Sequence, residues 1–301
     1  MKNNKAYIIT GPTSGIGHAT ALELVKYGTL ILVGRNPEKL AQLQKELKNA
    51  GHDAIPVICD ISDMKSVKSA AQEIIALGLP IAGLLNNAGI MPSKPLKSAQ
   101  GWDLTFATNH LGAFALTETL APHLPDGANV VFIASAIEDQ ERRPAKAMGM
   151  KGGRFISVAA STRGEWKAGG AKMPGIDAYA TSKQCILAAT FALAREDRRL
   201  HYNAIEPGIT RGTSLGGEST HAFVRFLFGH LMAILPPFSH YSSTPEKSAK
   251  VITKILTDAS GSTGVYFDEK GQPMLGSEQV RDPKFQDRVV AETRTLLATI
   301  Q

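Results

Sequence analysis

Short apolar runs separated by longer amphipathic stretches recur along the first half of the chain. Ala6-Tyr7-Ile8-Ile9, Leu30-Ile31-Leu32-Val33, the run from Ala54 to Cys59 and Ile81-Ala82-Gly83-Leu84-Leu85 have strand length and almost no alternation. That is the signature of strands buried on both faces. Between them, 18–27, 37–49 and 62–77 carry apolar residues at helical spacing, with Pro37 placed for a first turn. Strand and helix in strict alternation predict an α/β fold, a doubly wound parallel sheet with right-handed crossovers and helices on both faces. Later elements continue the series. A long helix is expected from Phe106 through Leu120, a strand at 129–135, a helix at 178–196 and a strand at 200–206. A helix entered at Thr244-Pro245-Glu246, a strand at 264–267 and a tail helix at 283–299 complete it. With no repeat, linker or low-complexity tract, residues 1–301 read as one domain.

Composition narrows the class. The net charge of +6 is spread along the chain without a basic run, so no nucleic-acid partner is expected, and the mild excess suits a small anionic ligand. Cys59 and Cys185 both lie in apolar surroundings, as reduced thiols of a cytoplasmic protein would, and no metal-ligand spacing is present. Met1-Lys2-Asn3-Asn4-Lys5 leads directly into an apolar strand, so no signal peptide is expected. No apolar run reaches the ~18 residues of a transmembrane helix.

The candidate chemistry sits at strand ends. Thr10-Gly11-Pro12-Thr13-Ser14-Gly15-Ile16-Gly17 lies between the first strand and the first helix. Glycines there let backbone approach a ligand, and a helix start attracts phosphate. Gly11, Thr13, Ser14, Gly15, Ile16 and Gly17 are therefore candidate dinucleotide contacts. The second strand ends in Val33-Gly34-Arg35-Asn36 where an acidic residue would favour NAD. Gly34 leaves space and Arg35 can fork onto a ribose phosphate, so NADP(H) is expected to be preferred, with NAD(H) possible. Asp60, followed by Ile61, is placed to accept from an adenine amino group, and the small residues of Asn86-Asn87-Ala88-Gly89 suggest backbone against ligand. Tyr179 and Lys183 are four apart at the head of a helix and share a face. An ammonium about 4–5 Å from a phenol favours the phenolate by roughly 3–4 kcal/mol at an effective dielectric near 20. That amounts to about two to three pKa units, enough for acid–base work near neutrality.

Thr10 to Gly17, Asn86 to Gly89 and Tyr179 to Lys183, in this order and at these separations, resemble the short-chain dehydrogenase/reductase family over nearly the whole chain. The resemblance implies a Rossmann fold, a nicotinamide cofactor and hydride transfer between alcohol and carbonyl. Phe106-Ala107-Thr108-Asn109-His110-Leu111-Gly112 is similar to the family's stretch with an active-site asparagine, which assigns that role to Asn109. Its wording is closest to the retinol dehydrogenase branch; the lengthened middle also resembles carbonyl and protochlorophyllide reductases, and the ending resembles the retinol dehydrogenase and protochlorophyllide reductase branches. The family's catalytic serine ends the fifth strand. Ser135 is preferred because its strand follows the Asn109 helix compactly, and Ser161, ending the strand-like run 155–161, is the alternative. Residues 136–176 then form an insertion with a minor strand at 154–158. Pro207-Gly208-Ile209-Thr210 resembles the turn beside the nicotinamide, with Thr210 and Thr213 competing for the carboxamide. Residues 214–244, apolar from Phe223 to Phe238, read as a lid over a lipophilic substrate, with a dimer surface or a membrane-surface patch as the alternatives. These features together predict an NADPH-dependent oxidoreductase acting on a small-molecule carbonyl or alcohol, and the family resemblance implies a dimer or tetramer. The alternative is a silent NADP(H)-binding regulator.

Overall fold

The computed structural model of the chain describes residues 5–173, 175–210 and 241–300. Its first four strands are β1 (Ala6–Thr10), β2 (Thr29–Gly34), β3 (Ala54–Ile58) and β4 (Ile81–Asn86). Helices α1 (Gly15–Leu24), α2 (Pro37–Asn49) and α3 (Met64–Ala76) connect them. The ends are set by local chemistry. Asn36 accepts from the Lys39 amide at 2.9 Å to start α2, and Asp63 accepts from that of Lys65 at 3.1 Å to start α3. After β4 come α4 (Leu104–Phe106), a π turn (Ala107–Gly112) and α5 (Ala113–Leu120), then β5 (Asn129–Ile133). The short helices α6 (Arg143–Ala147) and α7 (Val158–Arg163) precede α8 (Ile176–Glu196). Beyond α8 lie β6 (His201–Ile205), β7 (Ile209–Thr210), β8 (Ser242–Ser243) and α9 (Pro245–Leu256). The last elements are β9 (Tyr266–Phe267), β10 (Pro273–Met274), α10 (Glu278–Arg281) and α11 (Pro283–Ala298).

The main sheet has the order β10-β9-β6-β5-β4-β1-β2-β3, and every pair is parallel except β9 with β10. From β1 the chain builds outward through β2 and β3, then crosses back to β4 on the other side. That reversal opens a crevice at the carboxyl ends of β1 and β4, the place where doubly wound sheets take ligands. One apolar layer joins the sheet to α3, α5 and α8, and a second joins its other face to α1, α2 and α9.

Two expectations are corrected. Residues 154–158 are not a strand, and 155–161 is not a second candidate for the fifth strand. β5 pairs with β6 directly, from Asn129 opposite His201 to Ile133 opposite Ile205, which leaves no slot between them. Ser157 instead accepts from the Ala160 amide at 3.0 Å and starts α7, which Gly164 ends at φ +83°. Of the expected lid, 214–240 lies outside the described residues, while Tyr241 to Thr244 provide β8 and the cap of α9.

Helix α11 lies on α8 within the same chain. Arg294 bridges Glu118 of α5 (2.9 Å) and Glu196 of α8 (2.7 Å), and the buried His110 ring meets Thr293 at 2.9 Å. On the opposite side, the π turn packs against the loop after β3. A Cβ added to Gly112 would stand 1.8 Å from the Ile61 carbonyl oxygen. Gly112→Ala is therefore expected to destabilise the fold by about 1–3 kcal/mol, read as a lower urea midpoint with an unchanged m-value.

Candidate functional site

The turn after β1 is held from beneath by side chains. Thr10 Oγ1 accepts from the Asn87 and Ala88 amides, both at 2.9 Å, and donates to the Leu85 carbonyl at 3.3 Å. Asn87 Nδ2 donates to the carbonyls of Thr10 (2.9 Å) and Gly11 (3.1 Å), so this side chain is spent on shaping the turn. Gly11 and Gly15 have φ of +65° and +54°. A Cβ on Gly17 would lie 2.2 Å from the Gly11 carbonyl oxygen, so only glycine lets the turn close onto α1. Ser14 is extended and makes no side-chain cap, and the first turn of α1 has no acidic residue. The amides following Thr13 and Ser14, around Gly15 and Ile16, are thus open to an anion. A pyrophosphate fits this cradle.

Arg35 and Asn36 are exposed at the end of β2, with Asn36 Oδ1 already capping α2. A Cβ built on Gly34 would make ordinary contact with Leu40 of α2 at 3.4 Å. Asp60 is half-buried, and its Oδ1 takes the Ser62 amide (2.9 Å) and hydroxyl (2.7 Å), while Ile61 is buried beside Gly112.

Helix α8 buries both Tyr179 and Lys183. The ammonium sits 5.6 Å from the Tyr179 ring centroid and donates to the Ile133 carbonyl at 2.6 Å. Ser135, half-buried just past β5, lies near enough to the Tyr179 hydroxyl to act on it, whereas Ser161 is enclosed in α7 with an unpartnered hydroxyl. Asn109 lies in the π turn. Its Oδ1 accepts from the Ile90 amide (2.8 Å), and its Nδ2 donates to the Ile90 carbonyl (2.9 Å) and to Ser182 Oγ (3.0 Å). A Cβ on Gly89 would stand 3.3 Å from Asn109 Oδ1 and 3.7 Å from Lys183 Nζ, so this glycine keeps the space over the ammonium clear. Gly208 turns the chain at φ +78° after Pro207, and Thr210 Oγ1 donates to the carbonyls of Pro207 (3.3 Å) and Gly208 (3.2 Å). Thr213 lies outside the described residues.

The electrostatics reverse the expectation of an acidified phenol. Burial, then the Glu206 carboxylate, pushes the Tyr179 hydroxyl well above its ordinary value, against the lowering influence of Ser135. Burial also lowers the Lys183 ammonium to about 8, partly offset by Glu206. Both groups are desolvated together, so neither gains its charged form cheaply.

Comparison with known proteins fits this arrangement. The family pattern described as short chain dehydrogenase matches residues 5–148. A chloroplastic short-chain dehydrogenase of Brassica napus, TIC 32 B, is 30% identical over 274 residues, 87% of this chain and 79% of that protein. The chain belongs to the short-chain dehydrogenase family. Mouse retinol dehydrogenase 14 is 28% identical over 311 residues, 97% of this chain and 84% of its own. A solved short-chain dehydrogenase from Shigella flexneri, complexed with NADP, superposes with a TM-score of 0.63. It is 26% identical and covers 89% of this chain and 98% of that one. Members of this family are oxidoreductases of alcohol and carbonyl groups.

Three residues of this short-chain dehydrogenase escaped the sequence reading as site residues. Thr10 lies inside the glycine motif but works through its side chain. Ser182 Oγ joins Asn109 to the Tyr179 carbonyl, to which it donates at 2.7 Å. Glu206 follows directly on β6, and only the pairing of β6 with β5 brings it to the Ala136 amide beside the serine. None of the three has a spacing signal of its own.

Glu138 lies buried three residues after Ser135, accepting from the Ser277 amide (2.8 Å) and hydroxyl (2.6 Å). Burial pushes its carboxyl up to about 7 from 4.5. Between those values the folded chain keeps a proton that the unfolded chain has lost, so stability falls as pH rises through the window and levels off above about 7. The full loss is roughly 3 kcal/mol. Urea midpoints measured across this window should show that fall, and Glu138→Gln should flatten it.

Proposed function

We propose that this chain is an NADPH-dependent carbonyl reductase with a lipophilic substrate, with residues 1–301 serving one site. The observation that carries the reading is the buried Tyr179 ring beside the Lys183 ammonium, which donates to Ile133 at the end of β5, two residues before Ser135. When bound, the nicotinamide group supplies hydride to the carbonyl carbon. Tyr179 donates its proton to the carbonyl oxygen as charge develops there, and the raised phenol pKa keeps that proton in place. Ser135 hydrogen-bonds the same oxygen. Lys183 uses one donor on Ile133, leaving others for ribose hydroxyls below Gly89. Asn109, fixed between Ile90 and Ser182, supports proton resupply toward the lysine.

The glycine turn of residues 11–17 seats the pyrophosphate, Asp60 and Ile61 flank the adenine, and Asn87, Ala88 and Gly89 back the ribose. Pro207, Gly208 and Thr210 border the nicotinamide. NADP preference rests on exposed Arg35 at the end of β2, alongside the NADP held by the Shigella relative. Substrate lipophilicity rests on the apolar composition of 223–238 and on the likeness to mouse retinol dehydrogenase 14. Two free, buried cysteines support a cytoplasmic location, and among the described residues no helix is long and apolar enough to cross a membrane. A homo-oligomer would use faces other than those of α5 and α8 that α11 covers.

The test follows NADPH absorbance with a panel of apolar ketones and aldehydes. Tyr179→Phe should lower kcat by at least about 100-fold. Ser135→Ala should lower it comparably, and Ser161→Ala should leave it unchanged. Absence of turnover by the unaltered chain, with NADPH binding retained, would instead select the silent regulator. Arg35→Ala should raise KM for NADPH about tenfold while leaving KM for NADH unchanged, the loss of one charge-assisted phosphate contact.

A further inference from the structure

The carboxylate of Glu206 joins two loops of the site. Its backbone amide donates to Phe267 at 2.8 Å, which fixes the residue at the end of β6 opposite the serine loop. From there Oε2 accepts from the Ala136 amide, next to Ser135, and Oε1 accepts from the Gly208 amide at 3.1 Å, inside the Pro-Gly turn. A carboxylate is acceptor-only, so both oxygens meet amide donors without conflict. A glutamine here would point its NH2 at one of those donors.

We propose that Glu206 is a positioning residue of the reductase site, clamping the serine loop to the Pro-Gly turn and holding a negative charge beside Tyr179 and Lys183. The proposal rests on the reductase reading of this site and goes beyond it by assigning a role to a residue outside the serine, tyrosine, lysine and asparagine set. The charged and titratable groups that face Glu206 come from several elements. Burial raises the Glu206 carboxyl above its ordinary value; the Ala136 and Gly208 amides and Arg142, from the segment before α6, favour its charge against that, and Glu269, after β9, opposes it. Glu138 lies close enough to feel it, as does the buried Tyr266 of β9. Glu269 has its own exposed counter-ion, Lys270, at 3.8 Å. Tyr179 and Lys183 from α8 complete the set. A negative charge favours the neutral phenol and the ammonium alike, so both groups keep their protons to higher pH. The clamp thus favours the state that reduction needs, whichever of the two groups limits the rate.

The experiment compares E206Q and E206D with the unaltered enzyme in NADPH-driven carbonyl reduction across pH, with amide hydrogen exchange over 134–138 and 206–209. In E206Q the alkaline limb of kcat/KM should move down by about one pH unit, and the Ala136 amide should exchange about tenfold faster. E206D keeps the charge on a shorter stem. Its limb should stay in place while kcat falls and the Ala136 amide exchanges faster. A limb that stays in place in E206Q, with activity merely lowered at every pH, overturns the charge role. Unchanged exchange in both variants overturns the clamp. Should E206Q not fold, an E206D limb shifted from that of the unaltered enzyme overturns the proposal, and an unshifted limb with faster Ala136 exchange supports it. Failure of the reductase reading is seen separately, as no turnover by the unaltered chain, and the exchange arm still decides the clamp.

Discussion

A buried ammonium held by a strand-end carbonyl sets the terms for this structure. Lys183 lies inside α8, donating to Ile133 at the last position of β5. Burying a charge is costly unless it is compensated, so the site around it has to supply polar groups and keep them fixed. The Asn109 side chain, the Ser182 hydroxyl, the Tyr179 ring and the Glu206 carboxylate all gather at this point. The π turn that carries Asn109 follows the same requirement. An ordinary helical turn would place the residue differently, and here its amide reaches both Ile90 and Ser182.

The second centre of order is the crossing of β1 and β4. One hydroxyl, Thr10 Oγ1, takes two amides from the chain after β4, and one amide side chain, Asn87, takes two carbonyls from the end of β1. Four hydrogen bonds thus tie the two strand ends across the crevice. The glycine turn is rigid because of this brace and because Gly17 admits no side chain against Gly11. The anion cradle and the lysine pocket are linked through the same short segment, since Asn87 braces the first and Gly89 clears the second.

Much of this was legible from local pattern. The pattern marks Pro37 to Asn49 to the residue and strands β1 to β6 to within two residues, because buried parallel strands are short apolar runs with glycine or polar residues at their ends. The run 155–161 misled for the same reason. Phe155 and Val158 are apolar and buried, but Ser157 caps a helix there, and periodicity over so few residues does not separate the two cases. The acidified phenol also failed. Spacing alone puts Lys183 near Tyr179, but it carries no sign of how deeply the phenol is buried, and desolvation is the larger effect.

The sequence by itself determined the succession of elements, the glycine positions and the helical pairing of Tyr179 with Lys183, because each depends on residues close along the chain. Only the tertiary structure decided which serine meets the tyrosine, where Glu206 directs its charge and how far burial overrides the ammonium. Those outcomes depend on strand pairing across some seventy residues, as between Ala136 and Glu206, and on exclusion of water from a packed interior. Neither quantity has a local signature, since both arise only once the distant parts of the chain have come together.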